Sequence, residues 1–191
     1  ILFTHMPGIK VVCPSNPYDA KGLLIAAMED PDPVLVLETM KNYRSKREEV
    51  PVGKYTVEIG KGEIVREGTD VTLIAWGAMV SIAEKAAEQA EKKGISCEII
   101  DLRTLYPIDR DIIAQSVQKT TRAVIIHEAH NTGGLGNDLV SIINDTSFLY
   151  LRAPIERITG FDVPVPFFTL EEHYLPTPAR VVEGIEKVVH F

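Results

Sequence analysis

Residues 9–37 have the sequence IKVVC-PSNPYDAKGLLIAAMEDPDP-VLVL, and this stretch decides the fold class. The apolar run at residues 9–13 predicts a short buried strand. Asn16 is a favourable N-cap and the proline after it fits the first helical position, so a helix is predicted over about Pro17–Met28. Residues 34–37 predict a second apolar strand. A strand, a helix and a strand in this order indicate a βαβ unit with a parallel sheet.

A second α/β region is predicted over residues 70–191. Apolar stretches that predict strands alternate with amphipathic stretches that predict helices: strands at 71–75, 97–102, 123–127 and 155–158, and helices at 78–93, 108–117, 136–146 and 178–189. Residues 44–69, between the two regions, are charged and contain short alternating pieces such as residues 55–59. We therefore expect a first region at 1–43, a linker with some β structure at 44–69, and an α/β domain at 70–191.

Composition places the chain among ordinary globular proteins. Of its 191 residues 45% are apolar and 25% are charged, and the formal net charge is −7. This negative balance argues against a general nucleic-acid binder, which needs a basic surface against phosphates, and it favours a basic protein partner. No apolar run approaches the ~20 residues that span a bilayer, so no membrane partner is expected.

The cysteines and the N-terminus add two further expectations. Cys13 and Cys97 are too few for a disulfide scaffold and lack metal-ligand spacing, which favours a reducing, cytoplasmic location. The chain begins with the apolar Ile1-Leu2-Phe3, whereas natural termini are usually polar. We therefore expect the chain to be a piece of a longer protein.

Polar residues follow the predicted strands at the edge where parallel sheets bind ligands. His127 and Glu128 end one strand, but neighbours in a strand face opposite sides, which disfavours a metal ion shared with the nearby His130. The glycine-rich turn at residues 133–136 opens a helix and leaves two hypotheses. Its free N–H groups hold an anion, or its glycines are required for close packing.

No arrangement of Ser, His and Asp, or of Cys and His, indicates nucleophilic catalysis in this sequence. Asp101 and Arg103 lie two residues apart on one face of a predicted strand, so we expect an ion pair with a structural or interfacial role. From these patterns alone, the chain is a soluble α/β protein to which no reaction is assigned.

The end of the first predicted helix is a candidate cation site. Its last carbonyls, near Ala27 and Met28, lack helical partners and carry the negative end of the helix dipole. Asp30 and Asp32 follow directly. Backbone oxygens with one or two carboxylates suit a hard cation, and the alternative is a polar turn that holds no ion.

Six stretches of the chain, taken in order, closely resemble a known family. They are Pro7–Val12, Pro17–Leu24, Arg66–Thr72, Ile100–Thr104, His127–Ala129 and Asp162–Pro166. The family is the beta subunit of the thiamine-diphosphate-dependent, decarboxylating component of 2-oxo acid dehydrogenase complexes, which includes the pyruvate, branched-chain 2-oxo acid and acetoin enzymes. The resemblance implies an α/β fold: a transketolase C-terminal-type domain with a mostly parallel sheet, preceded by the tail of a thiamine pyrimidine-binding domain.

The resemblance also implies an activity that this chain does not carry alone. The family decarboxylates a 2-oxo acid and transfers the acyl group to a lipoyl acyltransferase, using thiamine diphosphate and magnesium. The family's activating glutamate and active-site histidine match positions upstream of Ile1, and the diphosphate and magnesium sites belong to the alpha subunit. We therefore assign no catalytic and no cofactor-binding residue here. His5 lies in a stretch that matches a loop near the active site.

Partners and a metal site follow from the same resemblance. Some family members hold a structural potassium ion, and the matching positions are the carbonyls of Ala27 and Met28 with Asp30 and Asp32. The expected protein partners are the alpha subunit, a second beta subunit and the small, basic subunit-binding domain of the dihydrolipoyl acyltransferase. For that last contact the candidate residues are Glu156 and the terminal carboxylate of Phe191, because Arg152 stands where some relatives have an acid.

Two alternatives remain beside this interpretation. In the first alternative, the chain is a stand-alone assembly module that binds a partner. In the second, it is part of another transketolase-like thiamine enzyme. The family interpretation predicts a cytoplasmic location, or the mitochondrial matrix in a eukaryote. It does not distinguish pyruvate from a branched-chain 2-oxo acid as the substrate.

Overall fold

The computed structural model describes residues 1–44, 47–166 and 168–191, so part of the predicted linker, residues 45–46, lies outside the described residues. The strands are β1 (Lys10–Val12), β2 (Val34–Val36), β3 (Glu63–Arg66), β4 (Val71–Ala75), β5 (Cys97–Asp101), β6 (Thr104–Tyr106), β7 (Ala123–His130) and β8 (Glu156–Gly160). The helices are α1 (Pro17–Glu29), α2 (Met79–Glu91), α3 (Arg110–Thr120), α4 (Leu135–Ser147), α5 (Glu171–Tyr174) and α6 (Pro178–Val189). Short 3₁₀ helices occur at Met40–Arg44, Phe148–Tyr150 and Phe168–Leu170.

The strands form two sheets in the described part of the chain. The main sheet has the order β3-β5-β4-β7-β8, and β4, β5, β7 and β8 run parallel while β3 is antiparallel at one edge. The small sheet has the order β2-β1-β6, in which β1 and β2 are parallel as the βαβ unit requires. The α/β fold class and the mostly parallel sheet are confirmed.

Local capping explains where α1 and α6 begin. The Asn16 side chain accepts a hydrogen bond from the Asp19 N–H at 2.8 Å, and a proline occupies the start of α1. Thr177 caps α6 in the same way, accepting from the Arg180 N–H at 3.3 Å. Both helices begin where the sequence predicts, at Pro17 and Pro178.

The core of the larger region lies on both faces of the main sheet. Helices α2 and α6 cover one face, where Leu73, Ile99 and Ile185 are fully buried. Helices α3 and α4 cover the other face, with Ile100 and Ile125 in its core. A strand that is buried on both faces needs apolar residues throughout, which accounts for the continuous apolar runs in the sequence.

Several predicted bounds are wrong. The alternating residues 55–59 are not a strand; the β structure of the linker lies instead at β3. Strand β7 continues to His130, three residues beyond the predicted end. Strand β6 is not predicted at all, because Arg103 has a left-handed backbone (φ 55°) that turns the chain out of the main sheet toward β1. None of the helices in the described ranges has the length and apolarity to cross a membrane.

Candidate functional site

His127 lies at the carboxyl edge of the main sheet, packed between a tryptophan and the glycine-rich turn. Its ring stacks on Trp76 with 5.5 Å between the ring centroids, and its side chain is almost fully buried. A Cβ atom on Gly136 would lie 2.5 Å from His127 Nε2, and one on Gly134 would lie 2.9 Å from Cε1. A side chain at either position would collide with the imidazole ring, so the ring accounts for the presence of glycine there. This favours the hypothesis that the turn glycines are required for close packing.

Burial keeps the His127 ring neutral. Desolvation lowers its pKa to about 4, and the positive charge of Arg157 contributes in the same direction. Neither ring nitrogen has a hydrogen-bond partner among the described residues. The neutral ring therefore packs between β7 and α4 with both of its nitrogens buried.

The other two polar residues at the end of β7, Glu128 and His130, differ in their surroundings. Burial raises the pKa of Glu128, against the nearby positive charge of Lys41. The ring of His130 contacts the carbonyl of Val163, with 2.8 Å between Nε2 and the oxygen. Within the described ranges no group of three or more His, Cys, Asp or Glu side chains is arranged to hold a metal ion.

A small cavity of about 230 Å³ lies beside His127 and Glu128, where the two sheets meet. The first region lines it with Cys13 and Thr39, and Trp76 lines it from the main sheet. Burial raises the pKa of the Cys13 thiol to about 12, so the thiol stays protonated at neutral pH. No nucleophile is activated in this cavity.

The predicted ion pair between Asp101 and Arg103 does not form between their side chains. The left-handed turn at Arg103 directs its guanidinium to Asp19, with 2.8 Å between Nε and Oδ2, and to Glu63. Asp101 instead accepts hydrogen bonds from the Arg103 backbone N–H at 3.0 Å and from the Ser15 hydroxyl. We call these five residues, Ser15, Asp19, Glu63, Asp101 and Arg103, the Arg103 junction.

The Arg103 junction is a contact between the two regions that the sequence patterns missed. It joins the first region to the C-terminal domain through charged groups, and both Asp19 and Asp101 are fully buried. The one available signal was an aspartate, Asp19, inside the helical stretch predicted to pack on the sheet. A buried carboxylate needs a cationic or hydrogen-bonding partner, and that requirement points to an arginine elsewhere in the chain.

Two of the predicted cation ligands, the carboxylates of Asp30 and Asp32, contact a lysine. Lys10 Nζ lies 2.7 Å from Asp30 Oδ1 and 3.1 Å from Asp32 Oδ2. These contacts lower the pKa of Asp30 and raise that of Lys10. The carboxylates are thus close together at the end of α1, as predicted, but they already neutralise a positive charge. Met28 is largely exposed at the same helix end.

The two residues predicted to bind a partner lie at the opposite, amino edge of the main sheet. Glu156 begins β8 and pairs with Lys187 near the end of α6, with 2.7 Å between Oε2 and Nζ. Phe191 follows α6 and is 80% exposed. Phe148 and Leu149 are exposed nearby, in the segment whose residue Arg152 donates its N–H to the Thr121 carbonyl at the start of β7.

Comparison with protein families matches both regions of the chain. The transketolase C-terminal domain matches residues 60–181, and the transketolase pyrimidine binding domain matches residues 1–46. Among curated relatives, the pyruvate dehydrogenase E1 component subunit beta of Bacillus subtilis is 50% identical over 100% of this chain. The mitochondrial 2-oxoisovalerate dehydrogenase subunit beta 2 of Arabidopsis thaliana is 44% identical over 99% of it. The chain spans 58% and 52% of these two proteins.

Solved structures agree with this assignment. A split-gene transketolase, described as an inactive beta4 tetramer, superposes with a TM-score of 0.82 at 28% identity, over 99% of this chain and 60% of that one. A transketolase mutant from Pichia stipitis shares the fold, with a TM-score of 0.66 at 16% identity, over 100% of this chain and 26% of that one. The chain therefore belongs to the transketolase C-terminal domain family, and it corresponds to the C-terminal portion of the beta subunits of pyruvate and branched-chain 2-oxo acid dehydrogenases.

Proposed function

We propose that this chain is the C-terminal part of the beta subunit of a 2-oxo acid dehydrogenase, and that it supplies subunit contacts and an acyltransferase docking surface. The observation that carries the proposal is 50% identity to a pyruvate dehydrogenase beta subunit across the whole chain. The complete enzyme would decarboxylate pyruvate or a branched-chain 2-oxo acid and pass the acyl group to a lipoyl acyltransferase. Relatives from bacteria and from mitochondria support a cytoplasmic or matrix location.

The described residues do not fit thiamine diphosphate and magnesium by themselves. The turn at 133–136 is filled by the His127 ring, and its neighbour Asp162 directs a carboxylate at Thr132, which disfavours a diphosphate there. Within the described part of the chain no cluster of carboxylates is placed to hold magnesium. We therefore assign no reaction step to these residues; the coenzyme site belongs, on this proposal, to the alpha subunit and to the rest of the beta subunit.

Reconstitution tests the activity. The full-length beta subunit mixed with its alpha subunit should decarboxylate a 2-oxo acid when thiamine diphosphate and magnesium are present, measured by reduction of an artificial electron acceptor. The 191-residue chain mixed with the same alpha subunit should not. A complex that is inactive with every 2-oxo acid but transfers a two-carbon ketol unit would favour the transketolase-like alternative, to which the TM-score of 0.82 gives some support.

The docking surface is proposed at the amino edge of the main sheet, around Glu156 and Phe191. The net charge of −7 and the exposed phenylalanine suit a small basic partner such as a subunit-binding domain. Glu156→Gln should weaken binding of that domain at low salt, and added salt should reduce the difference between the variant and the parent. Asp138→Asn, which removes an exposed carboxylate from the first turn of α4 at the carboxyl edge of the sheet, is the matched control. Equal binding by the parent and Glu156→Gln at low salt would remove Glu156 from the surface.

Potassium at the end of α1 remains a proposal, with the carbonyls of Ala27 and Met28 and the carboxylates of Asp30 and Asp32 as ligands. The ion must displace Lys10 Nζ from both carboxylates. Replacing choline by potassium should raise the melting temperature of the full-length subunit, and Asp30→Ala should abolish the rise. An equal rise in the variant would place the ion elsewhere.

A further inference from the structure

At the Arg103 junction, Arg103 makes polar contacts with both regions of the chain. The Arg103 guanidinium pairs with Asp19 in α1 and with Glu63 in β3. Its backbone carbonyl accepts from the Cys13 N–H at 2.7 Å, and its own N–H donates to Asp101 Oδ1 at 3.0 Å. Arg103 thus links α1, the residue that directly follows β1, and the edge of the main sheet.

The backbone of Arg103 is held in an unfavourable conformation by these contacts. A φ of 55° is rare for a residue with a side chain, and it persists only where the surroundings impose it. The turn at Arg103 takes the chain from β5 of the main sheet to β6, which pairs with β1 of the small sheet. The docking of the first region therefore depends on a strained turn that the side-chain contacts stabilise.

Two carboxylates are buried at this turn, and they belong to different regions. Asp19 is on α1 and Asp101 is at the end of β5, and both are fully buried. Burial raises the pKa of Asp101 to about 6, and the like charge of Asp19 adds to the rise. The hydrogen bonds from Ser15 and from the Arg103 N–H, together with the Arg103 charge, oppose it. Glu63, on the other side of the guanidinium, is the remaining charged group of the junction.

We propose that the Arg103 junction is a proton-sensitive clamp, which docks the first region on the C-terminal domain more tightly in mild acid than in mild base. A charged Asp101 faces a carboxylate of the same sign across the junction. A proton on Asp101 removes this repulsion. The protonated group still accepts from the Arg103 N–H and donates its new proton to the Ser15 hydroxyl.

The direction follows from which state binds the proton. Ser15 and Asp19 of the first region cover Asp101 when the regions are docked, so on this proposal its pKa falls toward the ordinary value when they separate. The docked state therefore binds more protons, and docking weakens as the pH rises through about 6. Between about pH 5 and about pH 7.5 the docking constant should change about tenfold.

Hydrogen exchange of the 191-residue chain, followed by mass spectrometry and corrected for intrinsic rates, measures this docking by region. Protection of peptides from residues 10–29 should be about tenfold higher at about pH 5 than at about pH 7.5. Peptides from residues 71–91 should show no such gain in acid. In Asp101→Asn, whose neutral amide resembles the protonated acid, protection of residues 10–29 should be high at both pH values. Asp145→Asn should keep the parental profile.

Two results would overturn the clamp. One is a parental chain whose residues 10–29 gain no protection in acid. The other is an Asp101→Asn variant that keeps the full pH dependence. If that variant does not fold, Ser15→Ala serves instead, because losing the hydroxyl removes a hydrogen bond that favours the charged form of Asp101. The transition should then move to higher pH, and an unmoved transition would contradict the proposal.

Discussion

The first 44 residues and the C-terminal domain are built from the same kind of α/β unit but differ in how their strands are covered. Every residue of β4 and of β5 is buried, because helices lie on both faces of the main sheet. In contrast, β2 has no fully buried residue, α1 buries only Asp19, Gly22 and Leu23, and β1 buries Val11 and Val12. Val11 packs in one core with Ile100 of the main sheet. The comparison indicates that the C-terminal domain supplies most of the core, whereas the first region is buried mainly through β1, which packs into that core.

The apolar residues that the first region leaves exposed fit this difference. Met28 and Met40 are 79% and 83% exposed, and Leu2 is 79% exposed. Three large apolar side chains this exposed within one region of 44 residues are typical of a surface that other protein covers. They support the proposal that this region meets the alpha subunit and the rest of the pyrimidine-binding domain, while the C-terminal domain offers the amino edge of its sheet to other partners.

Removing core volume from each region should give the largest difference. Ile126→Ala in the main sheet should lower the free energy of unfolding by about 2–5 kcal/mol, because it leaves a cavity in a core closed on both faces. Leu23→Ala in α1 should loosen the first region and shift the main transition by less than about 1 kcal/mol. Urea unfolding, followed by fluorescence of the single tryptophan Trp76, measures both. Equal shifts of the main transition would contradict the comparison.

Acid should weaken the C-terminal domain through His127. The folded pKa is about 4, below the ordinary value of 6.5, so the unfolded chain takes up the proton first as the pH falls. Stability should therefore decrease between about pH 6.5 and about pH 4, by roughly 2–3 kcal/mol. His127→Gln, which cannot titrate, should lack this part of the pH dependence. Subtracting the variant's free energy of unfolding from the parent's at each pH isolates the contribution of His127, because the opposite contribution of Asp101 is present in both proteins. If the two pH profiles run parallel, His127 is not the source of this pH dependence.

If the turn glycines pack against His127, the effects of Gly136→Ala and His127→Ala on the free energy of unfolding should not be additive. Gly136→Ala should cost about 1–3 kcal/mol, because the new methyl group meets His127 Nε2 at 2.5 Å. In the background of His127→Ala the same change should cost less. Gly133→Ala is the matched control: its φ of 68° makes it costly, yet no atom lies within 4 Å of the added Cβ, so no coupling is expected. Additive effects at Gly136 would return the turn to the anion hypothesis.

Loss of Lys10 should have the smallest effect on stability, because its ion pairs with Asp30 and Asp32 are partly exposed. Lys10→Met should lower the melting temperature only slightly in choline. It should also increase the stabilisation by potassium, since the carboxylates are then free to bind the ion. Measurement of the melting temperature in both salts tests this. A potassium effect equal to the parent's would separate Lys10 from the cation site.

The periodicity of the sequence predicted the elements of the covered core well. Strands β4 and β5 lie within one residue of the predicted bounds, because a strand that is buried on both faces is apolar throughout. Helix α6 has the predicted bounds, and Thr177 caps its first turn. Strand β6 was missed because it depends on the left-handed turn at Arg103, a conformation that no local pattern assigns to arginine.

The candidate site was less predictable than the fold. Residue spacing could not show that His127 fills the space above the turn glycines, or that it lines the same cavity as Glu128. The pairing of Asp101 with Arg103 was wrong because spacing on an assumed straight strand ignores the turn between them. The partners of Arg103, Asp19 and Glu63, are 84 and 40 residues away in the chain, and only the fold brings them together.

The most direct test of the account is the amide spectrum of residues 60–191 produced alone and labelled with ¹⁵N. If the C-terminal domain supplies most of the core, the segment should give dispersed, native-like ¹H–¹⁵N signals for β4, β5 and β7 and should unfold cooperatively. Residues 1–44 alone should give the collapsed spectrum of an unordered chain. A segment 60–191 without dispersed signals would show that the domain does not fold without the first region's share of the core, which contradicts the account.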